Sequence, residues 1–222
     1  GPRPRDNPAD RAPGAAPPAN RVREPAMRSA APVPALRRLI AAASLVVASV
    51  ARAAHGEIAD FGDGVLHVTA WSGPMLGAIA VGLWSMAYSW RRAWLLPVAF
   101  VAAVAAGAYG GAGEKLTPTV GTLIVATVIL LGMLVYGSRT LSIPSAFAIV
   151  AVFGAIHGYS HGAQAGAGDF GRFVLGAASA TLALCVAGMA AGLMLRLVSR
   201  HGMHVAGAAI AAAGLWFAFG AA

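Results

Sequence analysis

Charge is what this chain has least of: Asp, Glu, Lys and Arg make up 11% of its 222 residues. A water-soluble domain carries roughly a quarter, so these side chains could not cover a surface facing water. The longest apolar stretches contain no Asp, Glu or Lys, which excludes a carboxylate proton relay at the middle of a bilayer. The single cysteine, Cys185, excludes an internal disulfide framework.

What is present is apolar. Hydrophobic residues are 58% of the chain and the mean hydropathy is +0.71. Runs long enough to cross a hydrocarbon layer of ~30 Å recur along the whole sequence, leaving no room for a sizeable soluble domain. The expected fold is all-α: a polytopic membrane helix bundle of about six transmembrane helices after a signal sequence. Its first partner is the lipid bilayer.

The formal charge of +8 would suggest nucleic acid until the charges are located. Eight of sixteen basic residues (Arg3, Arg5, Arg11, Arg21, Arg23, Arg28, Arg37 and Arg38) precede the first apolar run. From Ala54 onward seven basic residues face five acidic ones. No basic-aromatic stripe is left to grip phosphates, which excludes nucleic acid.

Residues 1–26 are rich in Pro, Ala and Arg without periodicity, as in a disordered tail or translated upstream sequence, and Met27 is a plausible start. Residues 27–54 then read as a signal peptide. Arg28, Arg37 and Arg38 lead into the apolar run Leu39 to Val50, and small residues follow at Ala51, Ala53 and Ala54. An uncleaved anchor is the competing reading. Cleavage after Ala53 or Ala54 would place His55 at or beside the new N-terminus. Residues 55–222 form the six-helix domain.

Six apolar segments are expected at about 64–90, 93–112, 117–136, 141–159, 170–197 and 203–222. Thr117-Pro118 opens the third as an N-cap with a first-turn proline, Gly137 closes it, and Ser142-Ile143-Pro144 opens the fourth. Gly73-Pro74 is expected to break the first. Arg91, Arg92, Arg139, Arg196 and Arg200 fall in every second connection, whereas Glu57, Asp60, Asp63, Glu114 and Asp169 fall in the others. The basic side should be cytoplasmic. That predicts a multi-pass protein of the bacterial inner membrane with periplasmic mature termini. Small residues spaced four apart, at Gly107/Gly111, Gly158/Gly162 and Gly188/Gly192, predict close helix packing.

Chemistry is left to histidine. His201 and His204 sit beside Arg200 and should be solvated. His157 and His161 are four apart, so on a helix they share a face and could hold one metal ion. The alternative is an interfacial pair that only forms hydrogen bonds. His67 should lie at the same outer end, with His55, Asp63 and Gln164 as weaker candidates to complete a shell. Cys185 would be a soft ligand as a thiolate, or simply a small buried hydrophobe.

Gly64-Val65-Leu66-His67, the later Ala80-Val81-Gly82-Leu83-Trp84 and above all His157-Gly158-Tyr159-Ser160-His161-Gly162-Ala163 resemble the HupE/UreJ family. The last of these is close to that family's HGYAHGAE signature. The resemblance runs from about His55 to the C-terminus. It implies a signal-bearing six-helix membrane protein, found with hydrogenase and urease genes and regarded as a nickel, sometimes cobalt, permease. A hydrogenase or urease maturation system is the partner it implies, and a homo-oligomer is left open.

The resemblance is incomplete. In the family's first span a His-Pro pair is followed by Asp-His. Here Val68 follows His67, and Gly73-Pro74 stand where Asp-His is expected. Gln164 replaces the signature's glutamate, and Cys185 stands for a histidine usual in the fifth span.

The leading expectation is a permease or accessory protein for a divalent transition metal. It needs no resident cofactor and is not an enzyme; nickel or cobalt would be the transported or bound ion. The alternative is a membrane partner or metal sensor that keeps the fold without transport. An intramembrane metal hydrolase ranks last, because the spans hold no carboxylate base.

Overall fold

The computed structural model describes residues 59–138, 141–166 and 168–219, together with Gly1. The expected tail, the signal segment and His55 lie outside the described residues. Among the latter every regular element is a helix: α1 (Ala59–Ala70), α2 (Ser72–Ser85), α3 (Trp90–Ala93), α4 (Leu95–Gly111), α5 (Pro118–Gly137), α6 (Ile143–Ala163), α7 (Phe170–Val198) and α8 (Gly202–Phe219).

Five helical segments are long and apolar enough to cross a membrane: Trp90–Gly111, Pro118–Gly137, Ile143–Ala163, Phe170–Val198 and Gly202–Phe219. A sixth is made by Phe61–Ala70 and Ser72–Ser85, bent by 85° at their junction. Large apolar side chains such as Val98, Leu123, Leu175 and Trp216 remain exposed around the bundle. That is the pattern of a surface solvated by lipid chains. The protein is a polytopic helical membrane bundle.

Local chemistry sets several helix ends. Thr117 takes the N-cap position ahead of Pro118 at the head of α5, as expected, but its side chain makes no capping hydrogen bond. That helix closes through Ser138, whose φ of 45° is the left-handed turn that ends a helix. Ser142 caps α6 by accepting a hydrogen bond from the Ser145 amide, and Asp169 caps α7 by accepting one from Arg172.

The break in the first span differs from expectation. It falls at Trp71, whose extended backbone (φ −103°, ψ 115°) separates α1 from α2. Gly73 and Pro74 lie in the first turn of α2 instead. A proline is tolerated there because first-turn amides have no helical acceptor to lose. The helix ahead of the break also starts earlier than the apolar pattern does. Asp63 therefore sits on α1, one turn before His67.

The helices pack backbone to backbone. α4 and α6 run parallel: Gly107 and Gly111 lie against the backbone of Ala155 and Tyr159, while Gly158 and Gly162 lie against Val104 and Ala108. A β-carbon at any of the four would overlap the neighbouring main chain. α5 and α8 form an antiparallel pair meeting at Gly132 and Gly207, and α7 packs on α1 through Gly64 and Gly176 and on α2 through Gly82 and Gly188. In hydrocarbon, where helices gain nothing from hiding apolar surface, such close approach is a main source of association. Trp84, Leu96, Phe100 and Leu131 fill the core between the pairs.

Alternating helix directions give the bundle two chemically different ends. Arg91, Arg92 and Arg200 belong to one. Asp63, Glu114, Lys115, Asp169 and Arg172 belong to the other, as do His67, His157 and His161.

Candidate functional site

The two signature histidines sit near the end of α6. At 1.5 Å per residue, His161 is ~3 Å and His157 ~9 Å from its last residue, Ala163. Both imidazoles are 1% exposed; next to them in sequence, Gly158 and Gly162 let the backbone of α4 close against α6.

His67 reaches the same place from α1. Its ring meets His161 edge to face, centres 5.2 Å apart at 81°. Trp71, at the helix break, stacks on the other side of His67 at 5.9 Å, and Phe173 from α7 closes at 5.7 Å. His157 lies a turn deeper. Its Nε2 is 2.7 Å from the Thr127 hydroxyl of α5, its ring meets Phe100 of α4 at 5.8 Å, and Gly77 of α2 lies beside its Cε1. The structure therefore joins His67 to His161 directly and seats His157 among three other helices.

Nδ1 of His157 and Nδ1 of His161 are the buried side-chain polar atoms without a hydrogen-bond partner among the described residues. Leaving such an atom unpaired costs about 1–3 kcal/mol. Two in adjacent turns mark a place where the fold gives up stability, as functional sites do.

Two cavities, each of about 200 Å³, meet at His67 and Gln164; His161 borders one of them and His157 neither. The outer one is polar, bounded by Asp63, His67, Gln164, Asp169 and Phe173. The inner one is mostly apolar; it runs from Leu116 and Phe217 at the same end of the bundle past Trp71, Gly73 and Pro74 to Ile124 and Val125, with His67, Ser160, His161 and Gln164 as its polar wall. His67 and Gln164 line both, so they form the partition. Gln164 is held by two hydrogen bonds of 2.9 Å from its amide nitrogen to the Ser160 carbonyl and hydroxyl.

The remaining candidates divide. Asp63 faces the outer cavity. Asp169 does too, but it is engaged by the Arg172 amide and by an ion pair of 3.3 Å with the Arg172 guanidinium. Cys185 is fully buried in the apolar core near Val81 and Trp84 and borders neither cavity. Among the described residues, no group of three or more His, Cys, Asp or Glu side chains is placed to hold a metal ion. Thr127 and Ser160 are not among the candidates that the sequence marks out. Thr127 carried one signal, a hydroxyl well inside an apolar run, where a polar group needs a partner.

Across known proteins, the profile described as HupE / UreJ protein matches residues 40–217. The chain belongs to the HupE/UreJ family. It is similar to Protein HupE of Rhizobium leguminosarum bv. viciae, at 31% identity over 178 residues, covering 78% of this chain and 92% of that protein. No solved structure matches. In this HupE/UreJ member, Gly73 and Pro74, which the sequence resemblance sets in the place of an Asp-His pair, both line the inner cavity.

Proposed function

We propose that the protein is a permease for a divalent transition-metal ion, nickel or cobalt, which it collects at the acidic end of the bundle and passes inward along its histidines. The observation that carries this reading is the meeting of His67 and His161 at the partition between two cavities. Two imidazoles sharing an ion at ~2 Å from each nitrogen have ring centres roughly 5 Å apart, close to the 5.2 Å separation found here. Asp63 supplies negative charge to attract the cation to the outer cavity. Gln164, as the other wall, has a carbonyl oxygen that would complete the shell together with water.

A site of two imidazoles and neutral oxygens binds weakly, which suits an ion that must leave again. The chemistry is ligand exchange without bond making in the substrate. The arginine-bearing end would face the cytoplasm and the histidine end the periplasm of a bacterial inner membrane. Membership of the HupE/UreJ family supports supply to hydrogenase or urease maturation as the physiological setting.

Uptake of radioactive nickel, cobalt, copper and zinc by cells expressing the chain tests this, with His67→Ala and His161→Ala alongside. Accumulation no higher than in empty-vector cells for all four ions would remove the proposal. A second reading, a non-transporting membrane partner or sensor, is favoured by one feature: Gly73 and Pro74 offer the inner cavity no ligand atoms from their side chains. On that reading a His157→Ala/His161→Ala variant leaves metal accumulation unchanged and still assembles with its partners. An intramembrane hydrolase would need a base near His157, and the carboxylates bordering the cavities are on the outer side, at Asp63 and Asp169. Hydrolysis of a lipid or peptide that depends on His157 would favour it.

A further inference from the structure

Thr127 lies at the middle of the apolar helix α5, yet is 3% exposed and makes two short hydrogen bonds. One runs 2.7 Å to the Ile124 carbonyl. A carbonyl can only accept, so that bond takes the single hydroxyl hydrogen of Thr127. Toward His157 Nε2, also at 2.7 Å, the Thr127 oxygen is left to accept. His157 Nε2 is therefore the nitrogen that bears hydrogen. A neutral imidazole has one N–H, so Nδ1 presents a bare lone pair, and it does so fully buried and without a protein partner.

The ring cannot exchange these roles by turning over freely. Phe100 stands edge to face at 5.8 Å. A β-carbon on residue 77 would come within 2.7 Å of Cε1, so the ring fills the space that glycine leaves. Thr127, Phe100 and Gly77 come from three different helices, α5, α4 and α2, and together fix one orientation of one imidazole.

We infer that Thr127 is a positioning residue that holds His157 as its Nε2–H tautomer, so that Nδ1 is the inner donor atom for the cation passing from His161. The step is an exchange of ligands: a water or the outer imidazole leaves the ion as the Nδ1 lone pair binds it, with no proton released, because that nitrogen carries none. Orientation of a ligand histidine through its other ring nitrogen is a general way of setting which atom meets a metal. This inference rests on the permease reading for its ion. The tautomer itself does not depend on that reading.

The test uses the full chain, labelled with ¹⁵N-histidine, in lipid nanodiscs. The His157 resonance is assigned by its loss in His157→Gln. Wild type should show hydrogen on Nε2, and added cadmium, a diamagnetic probe, should shift Nδ1. Thr127→Val keeps the shape without the hydroxyl; it should mix the tautomers and raise the KM for nickel uptake several-fold at unchanged protein level. Thr127→Ser should restore both. Hydrogen found on Nδ1 in wild type, or wild-type uptake kinetics in Thr127→Val, would overturn the inference. A wild type that moves no ion yet shows the Nε2–H tautomer refutes the permease reading and leaves the Thr127 lock standing.

Discussion

Gly77→Ala separates the cost of folding from the cost of misplacing a histidine. The added β-carbon would lie 2.7 Å from His157 Cε1 and 3.3 Å from Nε2. Carbon atoms in contact settle at about 3.5–4.0 Å, so the ring must retreat by roughly 1 Å. The Thr127 bond, 2.7 Å in the native protein, then stretches to about 3.5 Å, beyond useful hydrogen-bond length. Its loss removes about 0.5–1.5 kcal/mol. Replacing a helical glycine by alanine returns about 0.5–1 kcal/mol. The two nearly cancel, so melting of the purified protein in detergent should move by no more than about 4 °C. Uptake should not be spared: if the hydrogen bond's free energy is what holds Nδ1 in place, KM for nickel rises about two- to tenfold. A melting point lowered by ~10 °C would mean that residue 77 is a packing position. Unaltered KM with the ring displaced would mean that His157 does not handle the ion. Either result refutes the reasoning.

Gly158→Leu drives a side chain into the Val104 backbone; it should cost about 2 kcal/mol or more, read as lost thermal stability, and a wild-type melt would contradict the parallel packing of α4 and α6. Gly73→Asp puts a carboxylate on the wall of the inner cavity, where Ile124 Cγ2 must give slightly at 3.3 Å. Affinity for nickel by calorimetry should rise about tenfold, or ~1.4 kcal/mol; no gain would show that position 73 does not reach the ion. Asp169→Ala removes the cap of α7 and should lower stability by about 1 kcal/mol, with Asp169→Asn retaining most of it; equal loss in both would point to the Arg172 ion pair instead.

The composition and the runs were enough to read membrane, helices and their number, because a span in hydrocarbon must satisfy its backbone internally and advertises itself by length. Ser142 and Thr117 announced helix starts by local chemistry that depends on neighbours in the chain. Gly73-Pro74 misled for a related reason. A proline disfavours the interior of a helix but not its first turn, and which of these it occupies is decided by where Trp71 lets the chain bend. The apolar pattern begins at Gly64 and so assigns Asp63 to the preceding loop, whereas the helix begins before it.

The site was legible as residue types and not as an arrangement. The His-x3-His spacing alone places His157 and His161 on one helical face, since the α-helical period fixes it. The sequence also separates basic from acidic connections, since lipid insertion sorts them by side. Only the tertiary structure brought His67 across from α1 to His161, gave His157 to Thr127, and left Cys185 in the core. Those pairings join residues 30 to 94 positions apart in sequence. They exist because glycines on α4, α6 and α7 let helix backbones touch, and backbone contact between distant segments is a property of the folded bundle, not of any stretch of chain.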